Sequence, residues 1–98
     1  MKELRFEWHL PKATSNRAKH KVGFEEARSI FYDENAVLIP DPEHSQAEDR
    51  FLLLGMSAGA RILVVCHCER KGGDVIRVIS ARKAERAERA EYLRRLKP

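Results

Sequence analysis

Residues 75–89 change character midway, and that change constrains the fold more than any other feature of the chain. Val75, Ile76, Val78 and Ile79 are β-branched and surround a single arginine, Arg77, which is a strand pattern. Alanines then recur at 84, 87 and 90 with charged residues between them, which is a helical spacing. Ser80 or Arg82 therefore marks a strand-to-helix junction. Arg77, Ser80 and Arg82 gather there as donors suited to an anionic ligand.

The upstream chain supplies the scaffold. Phe6-Glu7-Trp8 reads as an edge strand or extended lead-in. Pro11 opens a helix over 11–20, whose face of Ala13, Asn16 and His20 is unusually polar, and Asn16 and His20 are spaced to bond each other. Gly23 precedes a second helix over 24–31 with Phe24, Ala27, Ile30 and Phe31 on one stripe, a core-packing signal. Strands follow at 36–40, 50–55 and 61–69, with a polar surface loop between the first two. Lys71-Gly72-Gly73-Asp74 is a hairpin signal that leads back to residue 75. The expected fold is α+β. Two N-terminal helices pack on an antiparallel four-stranded sheet, with a C-terminal helix and an optional short N-terminal strand. All 98 residues are expected to form one domain.

Two-residue turns at Ser57-Ala58 and Gly72-Gly73 would set Leu52 opposite Leu63 and Cys66 opposite Ile79. One face then carries Phe51, Leu53, Ile62, Val64, Cys66, Cys68, Val75, Arg77 and Ile79. The other collects Arg50, Arg61, His67, Glu69, Ser80 and Arg82 among Leu52, Leu63, Val65, Ile76 and Val78, and is the face expected to hold the chemistry.

Charge is unevenly placed. Residues 82–98 hold seven Lys or Arg against three Glu, which accounts for the whole net charge of +4. A basic terminal helix beside an arginine-bearing strand suits phosphate or an acidic partner, or is a solvated helix face. Cys66-His67-Cys68 suggests a metal site but fails on strand geometry, because His67 points away from both cysteines. No metal and no cofactor are expected, and the cysteines read as reduced core residues. No apolar run is long enough to span a membrane, and the first eight residues carry acids where a signal peptide needs an apolar segment. A cytoplasmic location is expected.

Several short motifs then fall in a recognisable order. Phe6-Glu7-Trp8, Lys12, Asn16, Lys19-His20 and Phe24-Glu25-Glu26-Ala27 come first. Asp41, His44-Ser45, Glu48, Arg50-Phe51, Gly55 and residues 77–84 continue the series. Together they resemble the BrnT toxins of bacterial type II toxin–antitoxin pairs, from Phe6 to Tyr92. The resemblance implies a fold like that of the RelE group. It implies a metal-independent ribonuclease that inhibits translation and growth, neutralised by a cognate BrnA-like antitoxin. That antitoxin is implied to be DNA-binding and dimeric, so that operator DNA is reached only through it. One departure is His9, where the family carries an Asp able to cap the first helix.

For such a reaction the residues offer roles of their own. Arg82, Arg77 and Arg50 are the phosphate clamps. His67 is the leading acid or base, with Glu48 and Glu69 as alternative bases. Ser80 orients a phosphate oxygen, and Lys12, Lys19, Arg61 and Lys83 contact RNA. Bland readings stand beside these: a strand histidine that packs, and an arginine paired with a carboxylate. Two rival functions also stand, a catalytically silent antitoxin-binding co-repressor and a plain nucleic-acid-binding domain. The tail offers only Tyr92 for base stacking, which counts against the last.

Overall fold

A computed structural model describes residues 3–40 and 50–96. The polar loop at 41–49, and with it Glu48, lies outside the described residues. The elements run β1 (Arg5–Glu7), α1 (Leu10–His20), α2 (Phe24–Ser29), a 3-10 turn (Ile30–Tyr32) and β2 (Val37–Pro40). They continue with β3 (Arg50–Met56), β4 (Ile62–Arg70), a 3-10 turn (Lys71–Gly73), β5 (Val75–Lys83) and α3 (Arg86–Arg95). The sheet has five strands, ordered β1-β5-β4-β3-β2. The optional lead-in strand is present and pairs parallel with β5, Glu7 beside Arg77, so the sheet is mixed rather than antiparallel throughout. Among the described residues no helix is long and apolar enough to cross a membrane.

Both registers depart from expectation. The first turn spans Ser57 to Arg61 and is closed by the Ser57 N–H donating to the Arg61 carbonyl at 2.8 Å, so Leu52 faces Cys66 instead of Leu63. At the second, Lys71, Gly72 and Gly73 all take positive φ, which two glycines accept without Cβ strain. Pairing runs as expected from Arg70–Val75 to His67–Val78, then shifts at a bulge so that Cys66 faces Ser80. Ile79 is the extra residue.

The corrected registers redraw both faces. Leu53, Leu63, Val65, Ile76, Val78 and Ala81 bury against Val22, Phe24, Ala27 and Ile30 from the helical segment. Leu54, Ile62 and Val64 form a second cluster on the other face, around Tyr92 of α3. A sheet covered on both sides accounts for β3 and β4 reading as continuous apolar runs.

Helix α3 has only Tyr92 buried. It docks through two polar latches. The Tyr92 hydroxyl donates to Asp33 at 2.5 Å, and Asp33 also accepts the Met56 N–H at 2.7 Å. Burial first, then the adjoining carboxylate, pushes the Tyr92 phenol up to about 12, so it stays a donor. The second latch is Arg82, whose two terminal nitrogens meet the two Glu88 oxygens at 2.8 and 2.9 Å. Strand β5 runs on to Lys83, so the strand-to-helix junction lies beyond both Ser80 and Arg82.

Candidate functional site

The bulge decides which side chains meet. Arg50 pairs with Cys68, and Cys68 pairs with Arg77, while Cys66 pairs with Ser80 and Val64 with Arg82. Residues 64, 66 and 68 share a face by strand alternation. Arg50, Arg77, Ser80 and Arg82 therefore stand on that same face, where an unbulged ladder would have turned Ser80 and Arg82 away from Arg50 and Arg77. Glu7, brought alongside by the parallel pairing of β1, accepts from Arg77 at 2.9 Å and lies 3.5 Å from Arg70. Arg77 is thus both paired with a carboxylate and one-third exposed.

Helix α1 closes the site from the side. Past Glu7 the edge of β5 has no strand neighbour among the described residues, and Asn16 takes its place. The Asn16 amide donates to the carbonyls of Ala81 and Val22 at 2.9 and 3.0 Å, and its oxygen accepts the Ala81 N–H at 3.1 Å. The expected Asn16–His20 pair is replaced by this mimicry of a β-ladder. His9 occupies the N-cap without a side-chain capping bond, so its ring is not spent on the helix end.

The result is a cleft of about 110 Å³ lined by His9, Lys12, Arg50, Cys68, Arg70, Arg77, Val78 and Ile79. Among the described residues that line it, four side chains are cations and none is a carboxylate. A second depression of about 330 Å³ adjoins it, sharing Lys12 and Ile79 and adding Ser15, Asn16, Lys19, His20 and Ser80. Convergent cations of this density suit a polyanion.

Other expected residues lie elsewhere. His67 is 1% exposed. It packs at ring-centroid distances of 4.9 Å from Phe31 and 5.8 Å from Phe51, and lines neither cleft. Among the described residues its Nδ1 has no hydrogen-bond partner, and its Nε2 is 3.9 Å from the exposed Glu69 carboxylate. Burial lowers its pKa from the ordinary histidine value, with the Val65 backbone opposing more weakly. Arg82 is held by Glu88, and that hydrogen bond raises its pKa while lowering that of Glu88. Arg61 is spent on Glu26 through Nε at 2.9 Å and donates to the Lys21 carbonyl at 3.1 Å. Lys83 is exposed at the end of β5, within electrostatic reach of Glu26. His9 and Arg70 are the cleft residues that composition and spacing did not single out. His9 had drawn notice only as a weak cap, although a basic side chain one turn from Lys12 was a usable signal.

The placement of His67 makes a testable statement about stability. Its folded pKa lies below its unfolded one, so the unfolded chain binds more protons in the window between them. Stability is full above about pH 6.5 and falls as pH drops below it, with a slope of up to about 1.4 kcal/mol per pH unit. His67→Phe, which suits an aromatic pocket, is expected to remove that slope. Urea midpoints at pH 7.5 and 5.5 check it, because Asp33, Glu26 and Glu88, all held below their ordinary values, titrate at lower pH. An unchanged slope in the variant would assign the loss to another group.

Comparison with known proteins agrees with the geometry. Residues 8–88 match the family described as ribonuclease toxin, BrnT, of type II toxin–antitoxin systems. Among curated proteins no relative matches the chain. Among solved structures, the Brucella abortus ribonuclease toxin BrnT is similar at 27% identity and a TM-score of 0.64, over 86% of this chain and 100% of that one. The chain therefore belongs to the BrnT family of ribonuclease toxins of type II toxin–antitoxin systems.

Proposed function

We propose that the chain is a metal-independent endoribonuclease, acting in the cytoplasm to inhibit translation and growth until a cognate antitoxin neutralises it. The observation that carries this reading is the convergence of Lys12, Arg50, Arg70 and Arg77 with His9 on one cleft. Cleavage requires the 2′-hydroxyl deprotonated, the pentavalent phosphate stabilised and the 5′-oxygen protonated. Arg77 and Arg50 face the phosphate as guanidinium clamps, and Lys12 and Arg70 add charge at its flanks. His9 is the imidazole within the cleft and takes the proton-transfer role, since His67 is buried beneath the sheet. Glu69 and the Glu48 of the undescribed loop remain the carboxylate alternatives. Metal independence rests on the donor set: four cations repel a divalent ion from the place where they hold phosphate. The antitoxin is DNA-binding and dimeric in this reading, and carries the toxin to operator DNA.

The test is purified protein, free of antitoxin, incubated with mixed-sequence RNA in excess chelator. Fragments ending in 2′,3′-cyclic phosphate are expected, with the rate falling about 100-fold in His9→Ala, the scale of a lost acid or base. Cleavage abolished by the chelator would overturn metal independence. Full cleavage by His9→Ala would move proton transfer to a carboxylate.

A further inference from the structure

The depression beside the cationic cleft is not needed for the chemistry at Arg77, yet its walls are as specialised. Lys12, Ser15 and Lys19 recur at i, i+3 and i+7 and so form one stripe of α1. Ser80 faces them from β5, and His20 completes the wall. Among the described residues no lining side chain is a carboxylate. Several cations elsewhere are spent on carboxylates: Arg61 on Glu26, Arg82 on Glu88, and Arg94 and Arg95 on Glu91. Among the described residues, Lys12 and Lys19 have no such partner.

The wall is also fixed in place. Asn16 lies within the stripe, and its three hydrogen bonds to Ala81 and Val22 tie α1 to the edge of β5. Its amide is thereby consumed by backbone, so it sets the distance between Lys19 and Ser80 without itself being free for a ligand. The depression communicates with the cleft through Lys12 and Ile79. Lys12 and Lys19 are roughly 10 Å apart along the helix axis, given the rise per residue of an α-helix. One ligand long enough to satisfy both places is a polynucleotide strand.

We propose that Ser15, Lys19, His20 and Ser80 form a second phosphate subsite, holding the RNA backbone beyond the bond that is cut and setting the register of the strand. This rests on the ribonuclease reading of the neighbouring cleft. It assigns the substrate class more narrowly, to an RNA strand extending past the scissile step, and places the contribution of Lys19 in binding.

The test compares a decanucleotide RNA with a dinucleotide containing the same cleaved step, using wild type, Lys19→Glu and a charge-matched control, Lys21→Glu, which changes a lysine outside both depressions. Lys19→Glu is expected to raise KM for the decanucleotide about tenfold, with kcat retained and the dinucleotide unaffected. Lys21→Glu is expected to leave all of these near wild type. A fully 2′-O-methylated decanucleotide, which cannot be cleaved, reports binding alone. Its affinity is expected to fall in Lys19→Glu, with a shallower salt dependence, as one lost phosphate contact requires. Equal effects of Lys19→Glu on both RNA lengths, or unchanged affinity for the methylated strand, would overturn the subsite. If no RNA is cut but the methylated strand still binds less tightly to Lys19→Glu, the subsite stands and the ribonuclease reading falls.

Discussion

Arg77→Ala is expected to lower RNA cleavage by 100-fold or more while leaving the fold intact. Arg77 stands in the cationic cleft, and its pairing with Cys68 sets it beside Arg50. Removing a single preorganised donor to developing phosphate charge typically costs ~10²–10³ in rate. The structural cost is small by comparison. The bond to Glu7 is 2.9 Å long but both side chains are a third or more exposed, and such pairs contribute ~1 kcal/mol or less.

Glu7→Gln separates the two roles. If Arg77 served only to pair with Glu7, this variant would lose activity in step with Arg77→Ala. As a phosphate clamp, Arg77 is expected to work as well or better once its carboxylate competitor is gone. Arg77→Lys keeps the charge but not the planar fork, and an intermediate rate is expected. Arg82→Ala provides the contrast. Glu88 already occupies both terminal nitrogens of Arg82, so its loss is expected to loosen α3 more than it slows cleavage. Single-turnover rates on one RNA, with thermal melts of each variant, decide among these. Wild-type cleavage by Arg77→Ala would remove the cleft from the mechanism.

Periodicity carried much of the architecture. Helix α1, the apolar strands and the terminal helix were legible because each repeats its pattern over two or more turns or pleats. The second helix, expected over 24–31, is α-helical only over Phe24–Ser29 and ends in a 3-10 turn. What escaped was set by single residues at a distance. Ile79 looks like any β-branched strand residue, and nothing local marks it as the bulge that brings Arg77 to the side of Ser80 and Arg82. The partner of β1 lies some 70 residues along the chain, so its parallel pairing leaves no short-range signature. The turn from Ser57 to Arg61 depends on a bond between its own ends, and three extra residues there moved Phe51 and Leu53 to the opposite face. His67 illustrates the consequence. Strand alternation correctly grouped it with Leu63 and Val65, but the registers left that group on the helix-covered face, away from the arginines. Arg50, Arg77 and Lys12 could be named from residue type. Their meeting with His9 and Arg70 depends on α1 lying along β5, a tertiary fact that residue spacing does not encode.

Asn16→Ala is the second large effect expected, and it falls on stability and on cleavage together. The substitution removes one buried side chain and leaves the Ala81 N–H, the Ala81 carbonyl and the Val22 carbonyl without their partner. An unsatisfied buried polar group costs about 1–3 kcal/mol, and water admitted to the gap recovers part of it, so a loss of about 3 kcal/mol is expected. For a domain of this size that lowers the melting temperature by more than ~10 °C. Helix propensity works the other way, since Ala is the better helix former, but by well under 1 kcal/mol. Asn16→Asp refines the argument. It keeps an acceptor for the Ala81 N–H but loses both amide donations and sets a carboxylate against two carbonyls, so it is expected to destabilise at least as much at neutral pH. Because the same bonds hold the α1 stripe against β5, cleavage is expected to fall even at temperatures where Asn16→Ala remains folded, with KM rising more than kcat drops. A variant that melts early yet cleaves normally when folded would show that the stripe keeps its place without this anchor. Normal melting would mean that the Ala81 backbone finds other partners at the edge of β5.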